Sequence, residues 1–231
     1  MKVLYPPGKV EILAITMGVE GESSLQIIEL AGRTAYQSFS RMGPDTARKF
    51  TEAIIKRGHE SVIEHSVMTV RFSKISRGFT HQLVRHRLCS FTQESTRYVN
   101  KGGFSVILPP GRDADQKVEL KLPDGTPIRL TVEQWFMLND QMYQKLLETA
   151  WPPEDARQVL PIGIATEIVV TANFREWRHI ISLRGAPDAH WEIRLAMIEL
   201  LKHAKKLVPV VFDDFTIDET VPCIRQIKAS A

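Results

Sequence analysis

Arg85-His86-Arg87-Leu88-Cys89-Ser90-Phe91-Thr92-Gln93-Glu94-Ser95-Thr96-Arg97 packs guanidinium, imidazole and hydroxyl groups into one short stretch. Around it, over residues 71–97, six Lys and Arg stand against a single acid, Glu94, although the whole chain has a formal net charge of only +3. The positive charge is therefore local, which is the composition of an anion site. Arginine offers a planar fork of donors matched to phosphate, whereas a diffuse Lys-rich surface mainly attracts polyanions. From Arg77 onward the cationic groups in this segment are all Arg and His.

A helix over residues 80–88 would put Gln82, Arg85 and His86 on one face by three- and four-residue spacing, with Leu83, Val84 and Leu88 on the other side. Ser90, Thr92, Gln93, Ser95 and Thr96 then supply short neutral donors. These suit the hydroxyls, carbonyls and phosphate oxygens of a nucleotide better than a metal. A solvated basic helix followed by a polar loop has the same composition, so the Arg-His-Arg triplet alone does not decide between them.

The spacing is more specific than the triplet. Arg85-His86-Arg87, seven residues, Ser95 and then Arg97-Tyr98 resembles the RHR-x7-S signature of the flavin-dependent thymidylate synthases, the ThyX family. The resemblance extends upstream through His59-Glu60-Ser61 and Glu64-His65 and includes Gln82. Downstream, Arg157, Asn173, Arg175, His179 and Arg184 follow in the family's order, so that residues 27 to 214 are covered. It implies an α+β fold, a mixed sheet with packed helices and a non-Rossmann flavin site, in a single catalytic domain over residues 1–231.

Composition excludes several other classes. At 231 residues and 43% hydrophobic, the chain can bury a substantial core. No apolar run has bilayer-spanning length, and residues 1–12 contain Pro6, Pro7 and Glu11 where a signal peptide would be apolar; the expectation is a cytoplasmic protein with no membrane partner. The net charge is too small to argue for nucleic acid. Cys89 and Cys223 make neither a disulfide framework nor a four-ligand zinc site and read as reduced thiols. His59-Glu60 and Glu64-His65 superficially suggest a metalloprotease, but these histidines are six apart, roughly 120° off the shared helical face that such a site needs. No metal is expected. There is no P-loop and no G-x-G-x-x-G. Cys89, two residues past Arg87, sits where a positive field would lower a thiol pKa, as for the nucleophile of the cysteine-dependent thymidylate synthases. Nothing else in the chain resembles those enzymes, and Cys89 reads as a small packing residue.

The rest of the chain alternates helices and strands without a repeat. Residues 23–36 and 45–56 are amphipathic, the second with Asp45 as its expected N-cap. Residues 66–72 alternate as a strand with one buried face, and 165–171 form a β-branched run that fits a buried strand. Residues 100–130 turn irregular, with a hairpin signal around Pro123-Asp124-Gly125, and are expected to be a surface excursion. Over 131–151, Trp135, Leu138, Met142, Leu146 and Leu147 recur at helical spacing, and Trp135 and Met142 are expected in the core. A helix from Asn173 to Leu183 carries an apolar stripe of Phe174, Trp177 and Ile181 and a polar one of Arg175 and His179, with Gly185 as its stop. The last helix spans 189–208, with Lys202, Lys205 and Lys206 solvated near its C-terminus.

The resemblance assigns roles. It implies conversion of dUMP to dTMP with 5,10-methylenetetrahydrofolate as carbon donor and reduced FAD, regenerated by NADPH, as hydride donor, without a covalent cysteine. Arg184 takes the catalytic position at the pyrimidine. Gln82, Arg85, Gln93, Ser95, Thr96, Arg97 and Arg157, with Arg184, match the dUMP-binding positions. His59, Ser61, Glu64, Arg85, His86, Arg87, Gln93, Asn173, Arg175 and His179 match those around FAD. Gln93 stands where some members carry Glu, and His179 where some carry Asn; both retain hydrogen-bonding ability. The family also implies a homotetramer whose active sites are shared between subunits. A nucleotide-dependent NADPH oxidase on the same scaffold and a nucleotide- or RNA-binding module using the Arg-rich segment are the alternatives.

Overall fold

In a computed structural model, which describes residues 2–227, the chain alternates strands and helices. In order these are β1 (Lys2–Leu4), β2 (Lys9–Ile15), α1 (Ser24–Tyr36), α2 (Thr46–Lys56), β3 (Val67–Ser76), α3 (Arg77–Leu83), β4 (Ser90–Gln93) and β5 (Ser105–Ile107). There follow β6 (Lys117–Lys121), β7 (Pro127–Thr131), α4 (Val132–Glu148), α5 (Pro153–Ala156), β8 (Ala165–Asn173), α6 (Phe174–Arg184), α7 (Trp191–Leu207), β9 (Phe215–Asp218) and β10 (Cys223–Gln226). The main sheet has the order β2-β3-β8-β4, and three two-stranded sheets pair β1 with β5, β6 with β7 and β9 with β10. None of the described helices is long and apolar enough to cross a membrane.

The chain divides into two compact units, each drawn from non-contiguous segments. One comprises the chain up to Lys9 with Ser73–Gln82 and Gln93–Ile168; the other comprises Val10–Phe72, Leu83–Thr92 and the chain from Val169. In the second unit, strand alternation buries Met68, Val70 and Phe72 of β3 and Val170 and Ala172 of β8. The intervening β8 positions are half-buried, so this β-branched strand has one fully covered face rather than two. On α6 the stripe of Phe174, Trp177 and Ile181 is fully buried, and the Trp177 indole donates to the Met68 carbonyl at 2.9 Å. Burying a ring of this size removes a large apolar area from water, and its N–H finds the partner that burial demands. α1 starts with a capping box between Ser23 and Gln26. At α2 Asp45 makes no side-chain cap; the Thr46 hydroxyl instead ties the helix start to its surroundings, accepting from the Gly43 N–H at 2.9 Å and donating to Glu29 at 2.7 Å.

In the first unit, Phe104, Val106 and Ile164 form a buried cluster with Val3, Phe136 and Leu160 packed against it. β1 and β5 pair in parallel, and Phe104, Val106, Ile107 and Leu108 are core, so the surface excursion expected over 100–130 is interrupted by a buried strand and resumes past Pro109. The hairpin of β6 and β7 turns at Gly125, whose φ of +86° requires a residue without a Cβ. α4 begins at a second capping box, Thr131 with Gln134. The core expectation for Trp135 and Met142 fails: both are about half exposed, as is Leu138, and Tyr143 is the residue that α4 buries fully. Helical periodicity identifies a stripe but not what covers it.

One helix end differs from the sequence reading. α3 stops at Leu83, so Arg85 and His86 lie in a turn rather than on a continued helical face. Gly185 stops α6 as expected, with a φ of −88° and hence without a left-handed conformation. A Cβ there would meet Ile224 at 2.5 Å and the Ile181 carbonyl oxygen at 2.6 Å; the glycine permits close packing of β10 on the helix end.

Candidate active site

Because α3 ends early, the Arg85-His86-Arg87 turn splits its side chains: both arginines are exposed while His86 points inward at 5% exposure. There the Arg184 Nε, at the last turn of α6, donates to His86 Nε2 at 3.0 Å. On the other side of the ring, His86 Nδ1 lies 3.4 Å from the Glu176 carboxylate, itself 8% exposed. His179 meets the His86 ring edge-on, with 5.5 Å between centroids. Burial, then the charges of Arg184 and His179, lower the His86 pKa to about 4, so the ring is neutral at pH 7 and its contact with Glu176 is not an ion pair. Glu176 is pushed the opposite way, chiefly by burial, against the lowering effect of His179. The ligand atoms of His86, Glu176 and His179 lie within 4.8 Å of one another. Yet one His86 nitrogen is taken by a guanidinium whose charge opposes a cation, which makes this a hydrogen-bonding arrangement.

Beside this turn a cleft of about 520 Å³ is lined by Glu64, Leu88, Asn173, Arg175 and His179 among others, and it shares Leu88, Glu176 and His179 with the open pocket beside Arg85 and Arg87. Asn173 caps α6, its side-chain oxygen accepting from the Glu176 N–H at 2.8 Å. Arg175 is ion-paired with Glu64, whose hydrogen bond raises the guanidinium pKa. Both partners are about half exposed, so the pair adds little stability. His59 and Ser61 are exposed and do not line the cleft. Cys89 is half-buried, and burial followed by the Glu176 charge pushes its thiol up to about 12. That is the reverse of an activated nucleophile.

Sequence reading overlooked the anchor of this region. Arg178, 3% exposed, pairs with Glu60 at 2.9 Å and Asp214 at 2.6 Å, donates to the Val211 carbonyl and stacks over the Phe215 ring at 5.0 Å. Burial works against its charge, but the bonds from Asp214 and Glu60 prevail and raise its pKa. A signal was present: Arg178 falls four residues after Phe174 and three before Ile181, a charge at the spacing of a buried stripe.

The other sequence-predicted nucleotide residues, Gln82, Gln93, Ser95, Thr96, Arg97 and Arg157, belong to the first unit. Gln93 donates to the Thr80 hydroxyl at 3.0 Å, and the Ser95 hydroxyl accepts from the Arg97 N–H at 3.2 Å. The Arg157 guanidinium donates to the buried Thr96 hydroxyl at 3.3 Å. Thr96 and Arg157 line a cavity of about 540 Å³ with His81 and Arg77, a cation that the motif did not single out. Burial and the charge of Arg157 lower the Arg77 pKa, as two guanidiniums facing one cavity must. Such a pair is matched to an anion. Arg97 reaches Glu154 at 3.3 Å on the surface.

The comparisons agree with this chemistry. A family profile described as thymidylate synthase complementing protein matches residues 19–210. A flavin-dependent thymidylate synthase of Mycobacterium avium (strain 104) is 35% identical over 210 residues, 88% of this chain and 84% of its own length. One from Mycobacterium tuberculosis (strain ATCC 25618 / H37Rv) is 36% identical over 198 residues, covering 83% and 79% respectively. Among solved structures, the UMP/dUMP methylase PolB from Streptomyces cacaoi bound with 5-Br dUMP has a TM-score of 0.71 at 23% identity, covering 92% of this chain and 96% of that one, which shows a shared fold. With the profile spanning most of the chain and relatives of this identity over most of their length, the protein belongs to the thymidylate synthase complementing family, that of the flavin-dependent thymidylate synthases (ThyX).

Proposed function

We propose that the protein makes dTMP by reductive methylation of dUMP, taking carbon from 5,10-methylenetetrahydrofolate and a hydride from FAD that NADPH reduces. The observation that carries the reading is the inward His86 holding Arg184 between two outward arginines of one signature. With its Nε tied to His86, Arg184 has two terminal nitrogens left to offer a ligand. Set against the pyrimidine carbonyl and N3 edge, they stabilise the negative charge that develops as the ring is activated. Arg85, Arg97 and Arg157, with Gln82, Gln93, Ser95 and Thr96, bind the nucleotide and its phosphate by charge-assisted hydrogen bonds.

The donor set of the second unit fits a flavin dinucleotide. Exposed Arg85, Arg87 and Arg175 offer guanidiniums to a diphosphate, Asn173 offers its amide, and His59, Ser61, Glu64, His86 and His179 are the other expected residues of this unit, with Gln93 expected from the first unit. When bound, the flavin supplies the hydride. The Cys89 thiol, held protonated, takes no part. The active form is proposed as a cytoplasmic homotetramer with sites shared between subunits, since a short chain that binds FAD, dUMP and folate needs more cleft than it owns.

The test is dTMP formation from dUMP, methylenetetrahydrofolate and NADPH, with and without FAD, in a variant carrying Cys89→Ala and Cys223→Ala. FAD-dependent product is expected. Loss of product in the folded double variant, with retention in the unmutated chain, would restore a thiolate route. NADPH consumption without product in both would replace the synthase by an oxidase.

A further inference from the structure

Arginine always presents N–H at its Nε, so the hydrogen bond from Arg184 to His86 requires a lone pair on His86 Nε2. Only the neutral ring protonated at Nδ1 has one. The opposite tautomer would set an Nε2–H against the Arg184 N–H, donor against donor. What selects the tautomer is the group that faces Nδ1, and that group is the Glu176 carboxylate at 3.4 Å. Glu176 belongs to the first turn of α6 and is anchored there by the Asn173 cap; Arg184 ends the same helix. His86 thus spans from one end of the helix to the other inside the fold.

We propose that Glu176 is a positioning residue for Arg184, acting through His86: its carboxylate accepts the Nδ1–H, fixes the tautomer, and so aims the guanidinium. The inference rests on the reading of Arg184 as the group that meets the pyrimidine. A carboxylate at 8% exposure beside a neutral ring, with no Lys or Arg bonded to it, is costly to bury, and packing alone would be served as well by an apolar side chain. The cost is understandable if the proton it holds in place matters. The logic is that of the carboxylate behind a metal-bound histidine, with a guanidinium in place of the metal.

The experiment compares Glu176→Gln and Glu176→Ala in the flavin-loaded protein. The Gln amide oxygen still accepts from Nδ1–H, whereas Ala accepts nothing. Glu176→Ala is expected to lower kcat/KM for dUMP by about 10–100-fold while flavin content stays at the unmutated level; Glu176→Gln is expected to restore most of the loss. Nitrogen-15 NMR of the histidine rings, assigned with His86→Gln, reads the tautomer directly: Nδ1–H in the unmutated protein and in Glu176→Gln, and a mixed or Nε2–H ring in Glu176→Ala. Equal kinetics in Glu176→Ala, an Nε2–H ring in the unmutated protein, or equal losses in both variants with flavin released would each overturn the proposal. The NMR readout needs no turnover. If the unmutated protein made no dTMP, the synthase reading would fall while the tautomer still judged the relay.

Discussion

His86 illustrates how much one buried nitrogen can carry. An unfolded histidine titrates near 6.5 and this one is lowered to about 4, so between those values the unfolded chain binds a proton that the native one refuses. The resulting stability is fully present above pH 6.5 and is lost as pH falls toward 4. Glu176, with its carboxyl pushed up by burial, works in the opposite sense; Arg184 and His179 are the other charged or titratable groups facing the ring. Urea midpoints are expected to fall on going from pH 7 to pH 5, and to fall less in His86→Gln. At Arg178 the carboxylate partners are about a quarter exposed, 27% for Glu60 and 23% for Asp214, while the guanidinium is not. Removing Asp214 therefore strands a buried cation with Glu60 alone. Asp214→Ala is expected to cost about 3 kcal/mol, the lower end of the range for losing one partner of a buried pair, measurable by urea denaturation. Neither network could be assembled from the sequence, although the spacing of Arg178 placed it on the buried stripe. The Arg-His-Arg signature named His86, but Glu176 and Arg178 acquire meaning only when α6 folds against residues about 90 and 118 positions earlier.

Elements were read best where their signals are local. The Asp-Gly turn and the alternation of β3 depend on neighbours within a few residues, and both elements stand where expected; the N-cap that was read, Asp45, makes no cap bond, whereas Ser23 and Thr131 do. Ends of elements were read less well. α3 was expected to run to Leu88 and stops at Leu83, since nothing nearby in sequence announces that His86 must turn inward. Gly185 was read as the stop of α6 and stands there, but as clearance for Ile224 rather than as a left-handed cap. That difference is testable: a left-handed cap tolerates Asn, whereas clearance tolerates no Cβ at all. Gly185→Ala and Gly185→Asn are both expected to lower the melting temperature, with overpacking costing about 1–3 kcal/mol. Because Arg184 is adjacent, the same variants should weaken dUMP binding more than flavin binding.

At the scale of the whole molecule, the two units were invisible in the sequence, since each is assembled from stretches far apart along the chain. The half-exposed Trp135, Leu138 and Met142 of α4 show the same limit for burial. If active sites are shared as proposed, light scattering should give roughly four times the 26.3 kDa of one chain, and flavin should be released as the assembly dissociates on dilution. A dissociated chain that kept its flavin would count against sharing. The long separations have another consequence, at the ribosome. Met68 leaves the exit tunnel 109 residues ahead of Trp177, the side chain that donates to its carbonyl. At about 5–20 residues per second the apolar face of β3 waits for its cover for roughly 5–20 s. How much enzyme a cell obtains from each messenger is then governed by what shields that strand during translation.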